Sequence, residues 1–223
     1  MSRSLLWILG ALVALAVVLS VGALRLTAVP EIPLLAATPE AVAARANDES
    51  GVGLCPWREP EADLKRFFPT ATGHRDETLV LSRHRAEIAN RLGHPTTGED
   101  NALQIHRVFR GPESLGAIVT RRVRGESGVI ELVLAVDDAG NVLGAKLQRL
   151  REPDEVARQL QSDAFLGAFR GKTARSDWQL GKAFPGVSAS ARSSAAALLD
   201  GTHTALVLLD VGSRLASSGH SHP

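Results

Sequence analysis

Residues 129–136 read Val-Ile-Glu-Leu-Val-Leu-Ala-Val, and so nearly apolar a run marks a strand covered on both of its faces. The turn formers Asp137-Asp138-Ala139-Gly140-Asn141 follow, and residues 142–150 return as the hairpin partner. Upstream, residues 103–109 alternate, and residues 115–123 carry Ile118, Val119 and Val123. Residues 78–81 read as a further short strand. Helical segments flank this sheet. Residues 61–69 make an amphipathic turn or two closed by Pro69. Ser82 caps a helix over 83–92 that Gly93 stops. Residues 155–161 form a short helix, Asp163 caps a turn over 165–169, and residues 195–209 make the last helix. The expectation is an α+β fold, an antiparallel sheet with flanking helices, over residues 60–211.

At 223 residues the chain has room for one membrane segment and one domain of ordinary size. Residues 5–24 carry no charge and lie between Arg3 and Arg25. A helix of that length spans about 30 Å, the thickness of a bilayer's hydrocarbon core. The expectation is an uncleaved anchor over residues 1–26, with the domain outside the cytoplasm. A cleaved signal peptide is the alternative, with Val21-Gly22-Ala23 as its small-residue site. Residues 27–59 read as a linker broken by Pro30, Pro33 and Pro39, and residues 212–223 as a disordered tail.

Lys and Arg number 25 against 24 Asp and Glu, so no basic field argues for nucleic acid. The absence of Tyr leaves few platforms for stacking bases. Cys55 is the one cysteine, too few for an internal disulfide or a cysteine-rich metal site, and it reads as a buried or inert thiol. No zinc spacing occurs, and no metal site is expected. His84 and His94 read as solvent-facing. His220 and His222 form a two-histidine tail with no specific task.

The chemistry concentrates in residues 165–199. Phe165-Leu166-Gly167-Ala168-Phe169-Arg170-Gly171-Lys172 places two aromatics at helical spacing before a Gly-Lys stop. Ser188-Ala189-Ser190-Ala191-Arg192-Ser193-Ser194 then opens an alanine- and leucine-rich helix. Serines there cap the helix at about 1 kcal/mol. Alternatively, hydroxyls, free N–H groups and the positive end of the dipole receive an anion such as a phosphate.

In this order of segments the chain resembles the FMN-binding domain family, found in subunits of the Rnf and sodium-pumping NADH:quinone oxidoreductase complexes. The family's Phe-Leu-x-x-Phe-x-Gly-Lys stretch matches Phe165, Leu166, Phe169, Gly171 and Lys172. Its Ser/Asp-Gly-Ala-Thr-x-Ser-Ser motif falls on residues 188–194, keeping Ser188, Ser193 and Ser194. The family's Gly, Ala and Thr fall on Ala189, Ser190 and Ala191. In covalent members that Thr carries the FMN phosphate as an ester, and Ala191 has no oxygen to esterify. Glu152 stands where the family carries a Glu-Thr-Pro-Gly-like loop near the flavin.

The resemblance implies non-covalent FMN held by Ser188, Ser190, Ala191, Arg192, Ser193, Ser194, Lys172 and Glu152, with Trp178 or Phe169 against the ring system. It also implies electron relay in or beside a membrane redox complex, whose subunits and the lipid are the partners. No acid–base pair suggests turnover of a soluble substrate. The alternative is a cofactor-free structural or assembly subunit that keeps the fold.

Overall fold

The structure, a computed structural model, describes residues 55–219. The expected anchor over 1–26 and all but the last few residues of the expected linker lie outside the described residues. Five strands, β1 (Gly73–Val80), β2 (Ala102–Arg110), β3 (Glu113–Arg124), β4 (Val129–Asp137) and β5 (Val142–Leu150), pair antiparallel in sequence order. The helices are α1 (Pro60–Phe67), α2 (Arg85–Leu92), α3 (Asp154–Leu160), α4 (Asp163–Gly167) and α5 (Arg192–Gly219). The fold is α+β, as the alternating and apolar runs require.

Strand β4 is buried from Ile130 through Val136, so both faces are indeed covered. On one face Ile105, Val119, Leu132, Leu134 and Leu147 pack with Ile88, Leu160, Phe165, Leu198 and Leu208 of the helices. On the other, Val108, Ile118, Val133 and Ala135 pack with Phe68, and with Trp57, Leu64 and Phe67. Helix α5 crosses the first face. Among the described residues, Ala189–Leu215 is the one helical stretch long and apolar enough to cross a membrane, and 72% of its apolar window is buried. It serves here as the core helix.

Several boundaries differ from the sequence reading. Strand β1 begins at Gly73, five residues before expected. Ser82–His84 is a separate 3-10 turn, and no side-chain bond caps it or α2. Gly93 does stop α2, in the left-handed conformation at φ 78°. Ser162, not Asp163, caps α4, its Oγ accepting from Phe165 N at 3.2 Å. Helix α5 runs on through Gly219, where a small polar composition suggested a tail.

Residues 55–59, read as the end of the linker, lie against the second face. Thr120 Oγ1 donates to Cys55 O at 2.7 Å, and Gln148 Nε2 donates to Pro56 O at 2.6 Å. Arg58 reaches Glu131 through Nε at 2.7 Å and Nη2 at 3.1 Å. Arg122 and Arg149 stand 3.8 and 3.7 Å from the same buried carboxylate. The Arg58 hydrogen bond holds Glu131 below the usual carboxylate range, against the opposing effect of burial.

Candidate functional site at the serine helix

The serine segment sits where the far ends of β3, β4 and β5 meet the start of α5. Gly125 and Gly128 close the β3–β4 hairpin, with Gly125 N donating to Gly128 O at 2.8 Å. Glu152 follows β5 and turns its carboxylate onto this hairpin. Ser194 Oγ donates to Glu152 Oε1 at 2.8 Å, and Glu126 N donates to Ser194 Oγ at 2.8 Å. The amide of Ser127 lies 3.3 Å from both Glu152 oxygens. A Cβ on residue 125 would stand 2.0 Å from Glu152 Oε1, so glycine is what lets the carboxylate approach.

On the other side Gln159, from α3, clamps Ser188. Its Nε2 donates to Ser188 Oγ at 2.9 Å, and its Oε1 accepts from Ser188 N at 2.8 Å. Ser190 Oγ lies 2.9 Å from Ser188 Oγ. Residues Ala189–Ala191 form a 3-10 turn, and the first bond of the helical stretch runs from Ala191 N to Ser188 O at 3.1 Å. The amides of Ala189 and Ser190 precede that bond. Ser190, Arg192 and Ser193 are exposed, whereas Ala191 and Ser194 are fully buried. The methyl of Ala191 belongs to the core, so the position that the resemblance set against the covalent members' Thr is buried as well as lacking an oxygen.

The structure thus brings together Ser188, Ser190, Ala191, Arg192, Ser193, Ser194 and Glu152. Lys172 does not join them. Its carbonyl accepts from Val142 N at 2.8 Å, at the start of β5, while Glu152 follows the end of that strand. Nine strand residues separate the two ends by roughly 27 Å. Lys172 Nζ instead lies 5.2 Å from the ring centroid of Phe184. Phe169 is fully buried against Phe165 and Phe184, with centroids 5.7 and 4.9 Å away. Trp178 stacks on Phe184 at 5.5 Å and on His203 at 5.7 Å. Trp178 thus meets α5 at His203, eleven residues or roughly 16 Å along the helix from Arg192, and Phe169 is packed in the core, so neither aromatic stands beside the serine segment as a flavin platform.

A second cluster, on the opposite face, escaped the sequence reading. Asp76 and His106 are direct partners in the β1–β2 register, and His74 lies two residues before Asp76 on the same strand face. His106 Nδ1 is 2.7 Å from Asp76 Oδ1, and His74 Nε2 is 3.9 Å from the same oxygen. Trp57 packs on both rings, its centroid 4.6 Å from His106 and 5.0 Å from His74. The signal available was His-x-Asp within a strand, and it is readable only if β1 is started at Gly73. His84 and His94 lie elsewhere, 3.9 Å from Glu87 and 3.4 Å from Asp200.

Cys55 is buried near Gln148 Nε2, at 3.8 Å, and burial pushes its thiol up to about 11, which leaves it inert near neutral pH. No protein-family model matches the chain, and no curated protein matches it either.

Proposed function

We propose that this is a membrane-anchored, extracytoplasmic protein that holds FMN without a covalent bond and relays electrons in or beside a membrane redox complex. One observation carries the reading: an exposed guanidinium and two exposed serine hydroxyls stand together at the mouth of α5. Ser190, Arg192 and Ser193 stand exposed there, beside the amides of Ala189 and Ser190. The Arg192 guanidinium has no partner among the described residues. A guanidinium, hydroxyls and the positive end of a helix dipole together suit a phosphate monoester. The base is firm, because α5 is packed into the core through Ala195, Leu198, Leu199, Ala205 and Leu206. The resemblance of residues 165–194 to the FMN-binding family names the flavin, and the apolar run 5–24 supplies the anchor in lipid. The flavin does the redox chemistry, and the protein fixes its position and tunes its potential.

A second reading, a cofactor-free assembly subunit with the same fold, draws on a different observation. Glu152 already sets a carboxylate beside Ser194 at the hairpin, and Phe169 and Trp178 are occupied in packing. Calorimetry of the full chain with FMN separates the two. The flavin reading expects micromolar binding, weakened about tenfold or more in Arg192→Ala by loss of a charge-assisted hydrogen bond. No heat of binding up to millimolar FMN leaves the assembly reading in its place.

A further inference from the structure

We propose that His74, Asp76 and His106 form a three-ligand site for a divalent transition-metal ion of the zinc class, on the sheet face opposite α5. The three side chains each offer a ligand-type atom, and these atoms lie within 4.8 Å of one another. Two imidazoles and one carboxylate are the donor set that borderline ions such as Zn²⁺ take, with metal–ligand bonds near about 2.0–2.2 Å. Atoms bonded to one such ion lie about 3–3.5 Å apart. The two contacts to Asp76 Oδ1, 2.7 and 3.9 Å, bracket that spacing, and the third pair lies within 4.8 Å.

The backbone fixes this convergence. Cross-strand partners on one face hold their Cβ atoms about 4.5–5.5 Å apart, and residues i and i+2 share that face. The register pairs Asp76 with His106, and it therefore puts His74 beside both. The two rings are 6.1 Å apart and nearly perpendicular, at 80°. Trp57 braces them, and is itself pinned, its Nε1 donating to Asp63 Oδ2 at 2.9 Å. Lys146 Nζ holds the other Asp63 oxygen at 2.8 Å. Packing against this fixed indole limits the rotation of both imidazoles.

The side chain of His106 is 7% exposed, and its Nε2 is buried with no hydrogen-bond partner. The ring therefore meets other polar groups through Nδ1 alone, the nitrogen that faces Asp76 and would be the ligand atom. Asp76 is 62% exposed and His74 33% exposed, so the site has an entry path and room for a water as fourth ligand.

The test uses the full chain in mild detergent, with His220 and His222 both changed to Ala so that the terminal histidines do not contribute. Zn²⁺ is titrated in competition with a chromophoric chelator, and Co²⁺ absorption reports the coordination. One ion per chain is expected. His74→Ala and Asp76→Ala should each weaken binding at least tenfold, while His84→Ala leaves it unchanged, with circular dichroism confirming that each variant is folded. Both substituted positions are on the exposed side of the cluster, so folding does not depend on them. No binding at millimolar Zn²⁺, or binding that survives both substitutions, overturns the proposal.

Discussion

Gly201 offers a sharp test of how α5 seats on the sheet. Within a helix, alanine is better than glycine by about 1 kcal/mol, so propensity alone makes Gly201→Ala stabilising. The packing opposes it. A Cβ at 201 would lie 2.6 Å from Val123 Cγ2 and 3.6 Å from Cγ1. Val123 is buried on β3, and its β-branched side chain is stiff at χ1, so the methyl has little freedom to swing aside. Overpacking of this kind costs about 1–3 kcal/mol. The net expectation is a loss of up to about 2 kcal/mol.

Val123→Ala alone removes two methyl groups, for a loss of roughly 1.6 kcal/mol by burial, plus a cavity term. In the double variant the new methyl enters the space that the valine left. Its stability should then exceed the sum of the single effects by about 1–3 kcal/mol, the signature of direct coupling. Urea denaturation followed by tryptophan fluorescence measures all four corners of the cycle, with an unchanged slope confirming comparable unfolding. A Gly201→Ala variant stabilised by the full helix-propensity gain, or an additive double variant, would refute this account of the helix–sheet contact.

Two further expectations concern titrating groups. Burial alone would push the Asp100 carboxyl up, but Arg121 Nη2 at 2.8 Å and Thr97 N at 2.7 Å outweigh it and hold it below its ordinary value. A depressed folded pKa adds stability that is complete above the unfolded value, about 3.9, and is lost as pH falls through the folded value. Asp100→Asn should therefore lower the melting temperature at neutral pH and flatten its fall on the acid side, and equal losses at every pH would contradict the assignment. Cys55, with its thiol raised by burial, should react with iodoacetamide slowly at pH 8 in the folded chain and fully in denaturant. Rapid labelling of the native protein would show the thiol exposed.

How much of this the sequence disclosed depends on where the signal lay. The β4–β5 hairpin was legible because an apolar run and a turn stand next to each other in the chain. Strand β1 was legible only at its end. His74, Arg75, Asp76 and Glu77 carry no apolar alternation, since of β1 only Leu79 enters the core. Residues 55–59 resembled a linker because their contacts are distant in sequence, Arg58 to Glu131, Pro56 to Gln148 and Trp57 to the rings of His74 and His106. The serine helix was found as a local motif. Its internal partners, Glu152 for Ser194 and Gln159 for Ser188, are set by folding, as is the separation of Lys172. The His74–Asp76–His106 cluster depends on register across thirty residues, which composition does not encode.

The most direct test of the central claim is the visible absorption of the full chain purified from membranes without added cofactor, followed by denaturation. The account expects a flavin spectrum that leaves with the small-molecule fraction on denaturation, as FMN held at the mouth of α5 without an ester must. A colourless protein that also fails to take up added FMN, or a flavin that stays attached to the denatured chain, would contradict it.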